Sequence, residues 1–312
     1  MSNEMMYQRD VYGRTLVELG KENKDIVVLD ADLSGSTRTA FFACEFPERF
    51  FNFGVAEQNM MAAAAGLASC GKTVFASTFA MFATGRAWDQ VRNSICYSKL
   101  NVKIVATHAG ITVGPDGATH QALEDIAIMR VIPNMTVIVP CDGPQTKDAI
   151  KASLAIKGPV YIRLGRSKVP TVEGKGAFRL GKADVLTQGE DVSIFACGIM
   201  TKLALDACQI LKKEDIKATV INMHTIKPID EDIVRQMTKK TKAMIICEEH
   251  SITGGLGCAI EEIVAECAAG IPVARIGVKN RFGQSGNEKD LLKEYNLQAE
   301  DIVNKVKKML NK

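Results

Sequence analysis

Several features that mark exported, membrane-bound or nucleic-acid-binding proteins are missing from this sequence. No apolar run reaches the roughly 18 residues that a membrane-spanning helix needs. The opening segment, MSNEMMYQRDVYGRTL, has no hydrophobic signal core, so we expect no export. The net charge is only +3, and lysines and arginines are scattered along the 312 residues, which predicts neither a nucleic-acid nor a membrane partner.

The nine cysteines show no pairing pattern. None are spaced as Cys-x-x-Cys, and an odd number without metal-type spacing argues against a disulfide framework and against a zinc site. We therefore predict no metal site formed by this chain, and a cytoplasmic location, where thiols stay reduced. Most of the cysteines are expected to be small buried apolar residues.

One phosphate-loop pattern is present but lies in the wrong context. Residues 66–73, GLASCGKT, fit G-x-x-x-x-G-K-[ST] letter for letter. A phosphate loop must follow a strand and open a helix, so that backbone N–H groups face the phosphate. Here the match ends an Ala-rich helix and leads into a strand, so we interpret Gly71 as a helix C-terminal glycine. No G-x-G-x-x-G is present either.

The order of predicted elements indicates an α/β protein with two doubly wound domains, the second smaller. The first run has strands at 25–30, 72–76, 102–107, 136–139 and 160–163, with helices at 56–69, 83–97, 121–130 and 145–156. The second has strands at 192–196, 218–221, 243–247 and 272–275, with helices at 201–211, 230–237, 256–268 and 300–310. The pattern breaks around 168–182. We predict domains at 1–170 and 188–312, joined by a linker at 171–187.

Three polar loops follow strands of the first domain, at 30–38, 108–121 and 163–168. Ligands of parallel sheets bind at the carboxyl ends of strands, where these loops meet. His108, Asp116 and His120 share one Gly-rich loop. Each residue alone is typical of a turn or a helix cap, but together they predict a site for a polyhydroxylated ligand, phosphorylated or not, with histidines as proton shuttles.

Glu57 begins a nearly apolar, Ala-rich helix. Two interpretations stay open: a favourable partner of the helix dipole, or a buried carboxylate that shares a proton with a ligand nitrogen. The segment after the next strand would bring Phe79 and Phe82 near that carboxylate, although such phenylalanines are more often plain core.

Together these segments resemble the transketolase family of thiamine-diphosphate enzymes. The matching stretches are 30–36, 53–60, 77–82, 107–121 and 161–166 in the first domain, and 224–230, 248–257 and 281–286 in the second. The resemblance implies a pyrimidine-binding domain followed by a transketolase C-terminal domain. Its most specific part is the run GPDGATHQ at 114–121, placed after an Ala-Glu-Gln helix.

One motif of full-length transketolases is absent. They bind the diphosphate and Mg²⁺ through Gly-Asp-Gly followed by an Asn, whereas residues 141–143 here read Cys-Asp-Gly and stand elsewhere in the chain. The resemblance therefore implies the C-terminal subunit of a split transketolase. A separate N-terminal subunit would hold the diphosphate and Mg²⁺, and the assembly would be a two-plus-two heterotetramer containing a homodimer of this chain. Alone, this chain should be inactive.

The resemblance also implies roles for individual residues. Glu57 would hydrogen-bond the aminopyrimidine and activate the cofactor, and Phe79 and Phe82 would stack on the pyrimidine. His108 and His120 would hold hydroxyls and the carbonyl of a sugar phosphate, acting as catalytic residues with Glu57. The remaining assignments are Asp116 to the C2 hydroxyl, Ser36 and Arg166 to the phosphate, and Asp32 to the cofactor-facing loop.

Two points do not match the family pattern. Gly85 stands where full-length transketolases carry a further pyrimidine-side tyrosine. The second domain matches no catalytic residue, so His224 and His250 are interpreted as structural or as part of a subunit interface.

Three alternatives remain. 1-Deoxyxylulose-5-phosphate synthase shares the Ala-Glu-Gln helix and the Thr-His-Gln loop, but typically reads Asp-Arg where this chain has Thr107-His108. A 2-oxo-acid dehydrogenase beta subunit has this length and domain pair but would not usually carry the Asp-Gly-x-Thr-His-Gln run. A non-catalytic subunit would keep the fold and lose the chemistry. The joint presence of Glu57, His108, Asp116 and His120 argues against it.

Overall fold

The computed structural model describes residues 4–311, and its strands form three sheets. The strands are β1 Met5–Tyr7, β2 Ile26–Asp30, β3 Phe50–Asn52, β4 Thr73–Ser77, β5 Val102–Ala106, β6 Thr136–Ile138, β7 Val160–Arg163, β8 Lys168–Pro170, β9 Asp184–Val185, β10 Val192–Ala196, β11 Ala218–Asn222, β12 Thr225–Lys227, β13 Ala243–Ser251 and β14 Val273–Val278. The α-helices are α1 Gln8–Glu22, α2 Ser34–Thr37, α3 Ala40–Glu45, α4 Glu57–Ser69, α5 Asp125–Arg130, α6 Gly143–Ser153, α7 Met200–Lys212, α8 Glu231–Lys240, α9 Leu256–Glu266, α10 Glu288–Glu294 and α11 Ala299–Met309.

The larger sheet has seven strands in the order β12-β6-β7-β5-β4-β2-β3. All pairings are parallel except β12 with β6. Every residue of β2, β5 and β7 is buried, because helices cover both faces, and this explains why these strands are almost continuously apolar. The carboxyl ends of β7, β5, β4 and β2 lie side by side at one edge of this sheet.

The second sheet has five strands in the order β14-β13-β10-β11-β9, all parallel except the short edge strand β9. Helices α7 and α11 pack against it, with buried side chains such as Leu211, Ile302 and Val306. The two sheets confirm the predicted α/β fold, a parallel-sheet domain followed by a smaller α/β domain.

Short strands at three places tie distant parts of the chain together. The two-stranded sheet pairs β1 with β8 in antiparallel fashion. Strand β9 lies within the predicted linker and pairs with the end of β11. Strand β12 comes from residues beyond 188, yet it adds to the edge of the first sheet, where Thr225 pairs with Ile138.

The structure corrects two predicted helices. The segment expected as a regular helix at 83–97 is largely π-helical, with wide turns at Phe82–Arg86 and Gln90–Cys96. The helix expected from residue 121 begins only at Asp125. Residues 121–124 are not helical, because Ala122 forms a bridge with Ala109 and its carbonyl accepts from the Gly110 N–H, which holds that segment beside the loop after β5.

Other expectations can also be compared with the structure. Gly71 follows the end of α4 with φ +89°, which confirms it as a helix-ending glycine and leaves no phosphate loop at 66–73. The sequence patterns predicted neither helices α1, α2, α3 and α10 nor strands β1, β3, β8, β9 and β12. All nine cysteines are free, and five are buried. Within residues 4–311, no helix combines the length and apolar character that crossing a bilayer requires.

Candidate active site

Glu57 is the first residue of α4, and its side chain is only 1% exposed. Its carboxylate lies in the first turn, where the helix dipole favours negative charge. It also accepts a hydrogen bond of 2.8 Å from Nη1 of Arg86, which extends from the π-helical turn after β4. Both interpretations of Glu57 from the sequence are therefore compatible with its position, since it is both a first-turn acid and a buried carboxylate.

Four ring side chains form a cluster beside this carboxylate. Phe79 and Phe82 lie nearly parallel, with ring centroids 6.2 Å apart and an interplanar angle of 17°. His108 stacks on Phe79 at 3.8 Å, and His120 meets the Phe82 ring edge-on at 5.2 Å. The Arg86 guanidinium lies 4.7 Å from the Phe82 centroid, so it connects the rings to Glu57.

His108 is held in a fixed orientation by its neighbours. It follows β5 with φ +56°, and its Nδ1 lies 2.8 Å from the Thr107 hydroxyl. Its Nε2 lies 3.4 Å from Nη1 of Arg9. Burial, and next the positive charge of Arg9, lower the pKa of His108 to about 3. The imidazole is therefore neutral at physiological pH, and its Nε2 faces the donor groups of Arg9.

Two further residues of the Gly-rich loop, His120 and Asp116, have polar neighbours. His120 Nδ1 lies 2.9 Å from the Thr119 hydroxyl. Asp116 lies 3.7 Å from Nη1 of Arg166, and both side chains are about one third exposed. The Arg166 guanidinium also donates to the carbonyl of Val113, which ties the loop after β7 to the loop after β5.

Three guanidinium groups, those of Arg9, Arg38 and Arg166, lie close to His108 and to one another. Arg9, on the first turn of α1, donates to the Ser36 carbonyl at 3.3 Å. Burial lowers the pKa of Arg9, and the positive charges of Arg38 and Arg166 lower it further. A cavity of about 690 Å³ opens beside them, with lining that includes Tyr7, Arg9, Arg166 and Lys168. Positive charges held this close together favour an anion beside them, although Arg38 is already paired with Asp10 and Arg166 lies near Asp116.

The loop after β2 is organised by Asp30. Its buried carboxylate accepts hydrogen bonds from the Leu33 N–H and from the hydroxyls of Thr37 and Thr39. Burial raises the pKa of Asp30 to about 6. Asp32, by contrast, is exposed and exchanges hydrogen bonds with Asn52. Its nearest polar partner is therefore at the edge of the sheet rather than in the ring cluster.

The two histidines of the second domain lie inside the chain, at 1% and 0% exposure for His224 and His250. His250 Nδ1 donates to the Ser251 carbonyl, and its Nε2 accepts from the Ala127 N–H. His224 Nδ1 lies 2.9 Å from the Thr225 hydroxyl, and burial lowers the pKa of His224. Neither ring is available at the surface for a subunit interface, which corrects that part of the interpretation.

The structure thus brings together most of the predicted site residues. Five of them meet at the carboxyl ends of β4 and β5: Glu57, Phe79, Phe82, His108 and His120. The loops beside this cluster carry Ser36, Asp116 and Arg166. Only Asp32 stands apart.

Two arginines at the site were not predicted. Arg9 reaches it because β1 pairs with β8, which follows directly after Arg166. Arg86 reaches Glu57 because of the wide π-helical turn, which periodicity at 3.6 residues does not reveal.

Two family models match the chain: the transketolase pyrimidine binding domain over residues 4–172 and the transketolase C-terminal domain over residues 181–302. The chain belongs to the transketolase family.

Relatives within this family cover nearly the whole chain. A putative transketolase C-terminal section from Methanocaldococcus jannaschii is 53% identical over 97% of this chain and 96% of its own length. A 6-deoxy-6-sulfo-D-fructose transketolase subunit from Clostridium sp. (strain MSTE9) is 42% identical over 96% and 93%. A 1-deoxy-D-xylulose-5-phosphate synthase from Caldanaerobacter subterraneus subsp. tengcongensis is 36% identical over 95% of this chain but only 48% of the synthase.

The transketolase fold is also matched by a solved structure. A split-gene transketolase described as an inactive β4 tetramer superposes with a TM-score of 0.90 at 53% identity, covering 98% of this chain and 99% of that one. This family is thiamine-diphosphate-dependent, so the site can be tested for fit to that cofactor. A buried carboxylate beside two parallel aromatic rings suits a flat, nitrogen-containing heterocycle, and the buried Thr78 hydroxyl close by has no hydrogen-bond partner in the described chain.

Proposed function

We propose that this chain is the pyrimidine-binding subunit of a two-chain transketolase. The enzyme would transfer a two-carbon ketol unit from a ketose phosphate to an aldose phosphate, with thiamine diphosphate as cofactor. Activity would require an N-terminal partner subunit that binds the diphosphate and Mg²⁺. The observation that carries the proposal is that Glu57, the two stacked phenylalanines and two histidines form one cluster of neighbouring side chains.

The cofactor would be held through its pyrimidine ring. Phe79 and Phe82 supply an apolar wall, and Glu57 supplies a carboxyl group that shares a proton with a ring nitrogen. Thiamine diphosphate, when bound, supplies the carbon nucleophile and the electron sink for cleaving the bond next to a ketone. The role of Glu57 is to hold and return one proton at its carboxylate in a site shielded from water.

The substrate would be read by groups around the ring cluster. His108 would exchange the contact of its Nε2 with Arg9 for a hydrogen bond from a substrate hydroxyl, and His120 offers a second ring nitrogen across Phe82. The carboxylate of Asp116, one third exposed beside Arg166, can accept a hydroxyl hydrogen. Arg9, Arg38 and Arg166 supply the positive charge for a terminal phosphate, with Ser36 beside them. This chemistry suits sugar phosphates.

Two observations support the need for a partner subunit: this sequence lacks the diphosphate-binding motif, and its relatives include a transketolase section and a transketolase subunit. The sequence has no Gly-Asp-Gly motif for a diphosphate-bound metal. The relatives that it matches along their full length include a transketolase C-terminal section and a transketolase subunit. We propose a two-plus-two heterotetramer with a homodimer of this chain, in the cytoplasm. The inactive β4 state of the split-gene relative is the behaviour expected of such a chain without its partner.

The experiment mixes this chain with a candidate partner subunit, thiamine diphosphate and Mg²⁺, and measures two-carbon transfer from xylulose 5-phosphate to ribose 5-phosphate. Glu57→Ala is assayed beside it. Activity that needs both chains and falls by at least about 100-fold with Glu57→Ala would support the proposal. Condensation of pyruvate with glyceraldehyde 3-phosphate would favour the synthase instead. A stable complex with neither activity would favour a non-catalytic subunit.

A further inference from the structure

The second domain contacts the Gly-rich loop of the active site through Glu249. This residue lies on β13, and its side chain is only 4% exposed. Its Oε1 accepts a hydrogen bond of 2.7 Å from the Thr112 N–H. Thr112 is four residues after His108 and four before Asp116, so the contact lies midway along the loop that carries the substrate-binding residues of the proposed function.

The loop is shaped to receive this carboxylate. Gly110 has φ +83°, and a Cβ added there would come within 2.3–2.5 Å of the three carboxylate atoms of Glu249. A side chain at this position would therefore have to displace the carboxylate. The tight fit places Glu249 against the loop backbone at two successive points, Gly110 and Thr112.

Glu249 is itself held from the opposite side. Arg163, at the end of β7, donates from Nη2 to the Glu249 carbonyl at 2.9 Å and from Nε to Asp125 at 2.7 Å. Tyr161 donates its hydroxyl to the same oxygen of Asp125 at 2.6 Å. All of these side chains are buried. Arg163 thus fixes the position of Glu249 relative to β7. Strand β7 pairs with β5, and the Gly-rich loop follows β5.

We propose that Glu249 is a positioning residue for the transketolase reaction: from the second domain, it holds the 108–117 loop so that His108 and Asp116 face the substrate. The inference rests on the proposed function for its effect on catalysis, but not for the contact itself. It gives the second domain a direct part in the site, although that domain supplies no residue to the ring cluster.

The neighbouring Glu248 offers a matched control. It is equally buried, but its carboxylate oxygens accept hydrogen bonds from the N–H groups of Leu256 and Gly257 at the start of α9, within the second domain. Both glutamates lie on β13, so substitutions at the two positions have similar general costs. Only Glu249 contacts the active-site loop through its carboxylate.

The first test measures amide hydrogen exchange on the full chain without partner or cofactor. Glu249→Ala should speed exchange at Thr112 by at least about tenfold, because the buried hydrogen bond to the side chain is lost. Glu249→Gln keeps an oxygen acceptor and should restore most of the protection. Glu248→Gln should instead affect Leu256 and Gly257 and leave Thr112 unchanged. Unchanged exchange at Thr112 in Glu249→Ala would overturn the proposal.

The second test measures kinetics of the assembled two-chain enzyme. Glu249→Ala should raise KM for the ketose phosphate and lower kcat/KM by about tenfold or more, with Glu249→Gln partly restoring both. Glu248→Gln should stay within about twofold of the unsubstituted enzyme. Equal losses in Glu248→Gln and Glu249→Ala would reduce Glu249 to a structural residue and overturn the proposal. An inactive unsubstituted complex would contradict the proposed function, whereas the exchange result would still decide the contact.

Discussion

Arg86 places a guanidinium nitrogen 2.8 Å from a carboxylate oxygen of Glu57. The two partners differ in environment, because the Glu57 side chain is 1% exposed and that of Arg86 is 46% exposed. The arginine therefore carries a solvated positive charge to a carboxylate that water hardly reaches. In the chain without cofactor, this ion pair and the dipole of α4 both compensate for burying the Glu57 charge.

Removing the arginine should destabilise the isolated chain. Arg86→Leu leaves Glu57 as a buried, unpaired acid, and we expect a loss of about 1–2 kcal/mol in the free energy of unfolding, discounted because half of Arg86 is exposed. Urea denaturation measures it. In the Glu57→Gln background the same substitution should cost less than about 0.5 kcal/mol, since no charge remains to be paired. Equal costs in both backgrounds would show that the ion pair does not stabilise the chain.

His108 should stay neutral throughout the physiological range. Its pKa is lowered to about 3, first by burial and then by Arg9. NMR of selectively labelled histidine should show no titration of His108 between pH 5 and pH 8, the range in which an ordinary histidine titrates. Arg9→Met should raise the pKa of His108, because the positive charge that lowers it is removed. A titration midpoint near 6.5 in the unsubstituted chain would contradict the proposed buried environment.

The lowered pKa of His108 also has a consequence for stability. Below the ordinary histidine pKa, the unfolded chain takes up a proton that folded His108 does not, so this residue contributes stability above about pH 6.5 that is lost as the pH falls toward 3. His108→Asn should flatten the acid limb of stability measured by urea unfolding between pH 4 and pH 7. An unchanged pH dependence would argue against it.

Arg9 should act on the phosphate of the substrate. In the assembled enzyme, Arg9→Ala should raise KM for a ketose phosphate by about 10- to 100-fold, because a charge-assisted contact to phosphate is lost. The KM for an unphosphorylated ketose should change far less. Arg14, an exposed residue on the same helix, is the matched control, and Arg14→Ala should leave both constants within about twofold. Equal effects on both substrates would show that Arg9 does not read the phosphate.

Glu249 should make the folded chain less stable as the pH rises, whereas His108 should make it less stable as the pH falls. Burial raises its pKa to about 7, against the pull of Arg163 and the Thr112 N–H, with Glu288 raising it further. Folded Glu249 therefore keeps a proton that the unfolded chain releases above about pH 4.3, and its contribution to stability is lost as the pH rises toward 7. Glu249→Gln should remove this slope in urea unfolding between pH 5 and pH 8. A slope equal to that of the unsubstituted chain would contradict the assignment.

Much of the fold follows from local patterns, and the exceptions have physical causes. The alternation of buried β-branched runs and amphipathic helices predicts most strands of the two large sheets and most helices. The helix predicted at 121 starts at Asp125 because a backbone contact between Gly110 and Ala122, distant in the sequence, overrides its helical periodicity. No local pattern encodes such a contact.

The site was predictable where neighbouring residues share one loop and less so elsewhere. His108, Asp116 and His120 lie in one Gly-rich segment, and Glu57 stands out as an acid at the start of an apolar helix. Arg9 looks like any arginine on a helix, and only the pairing of β1 with β8 brings it to His108. Asp32 belongs to a promising polar loop, but its left-handed backbone, φ +64°, turns it toward Asn52.

Strand β12 makes the two sheets dependent on each other. It lies beyond the second domain's β11 in the sequence, but it covers the outer edge of β6. Lys227 donates to the carbonyl of Arg130, the last residue of α5, and to that of Ile132. In a fragment ending near residue 172, β6 would become an unpaired edge strand. The backbone N–H and C=O groups of Val137 and Ile138 could then form hydrogen bonds with a strand of another copy. Proteolysis in the segment between the sheets should therefore yield aggregating halves rather than two well-behaved modules, and the natural unit for expression, crystallisation or engineering is the whole chain.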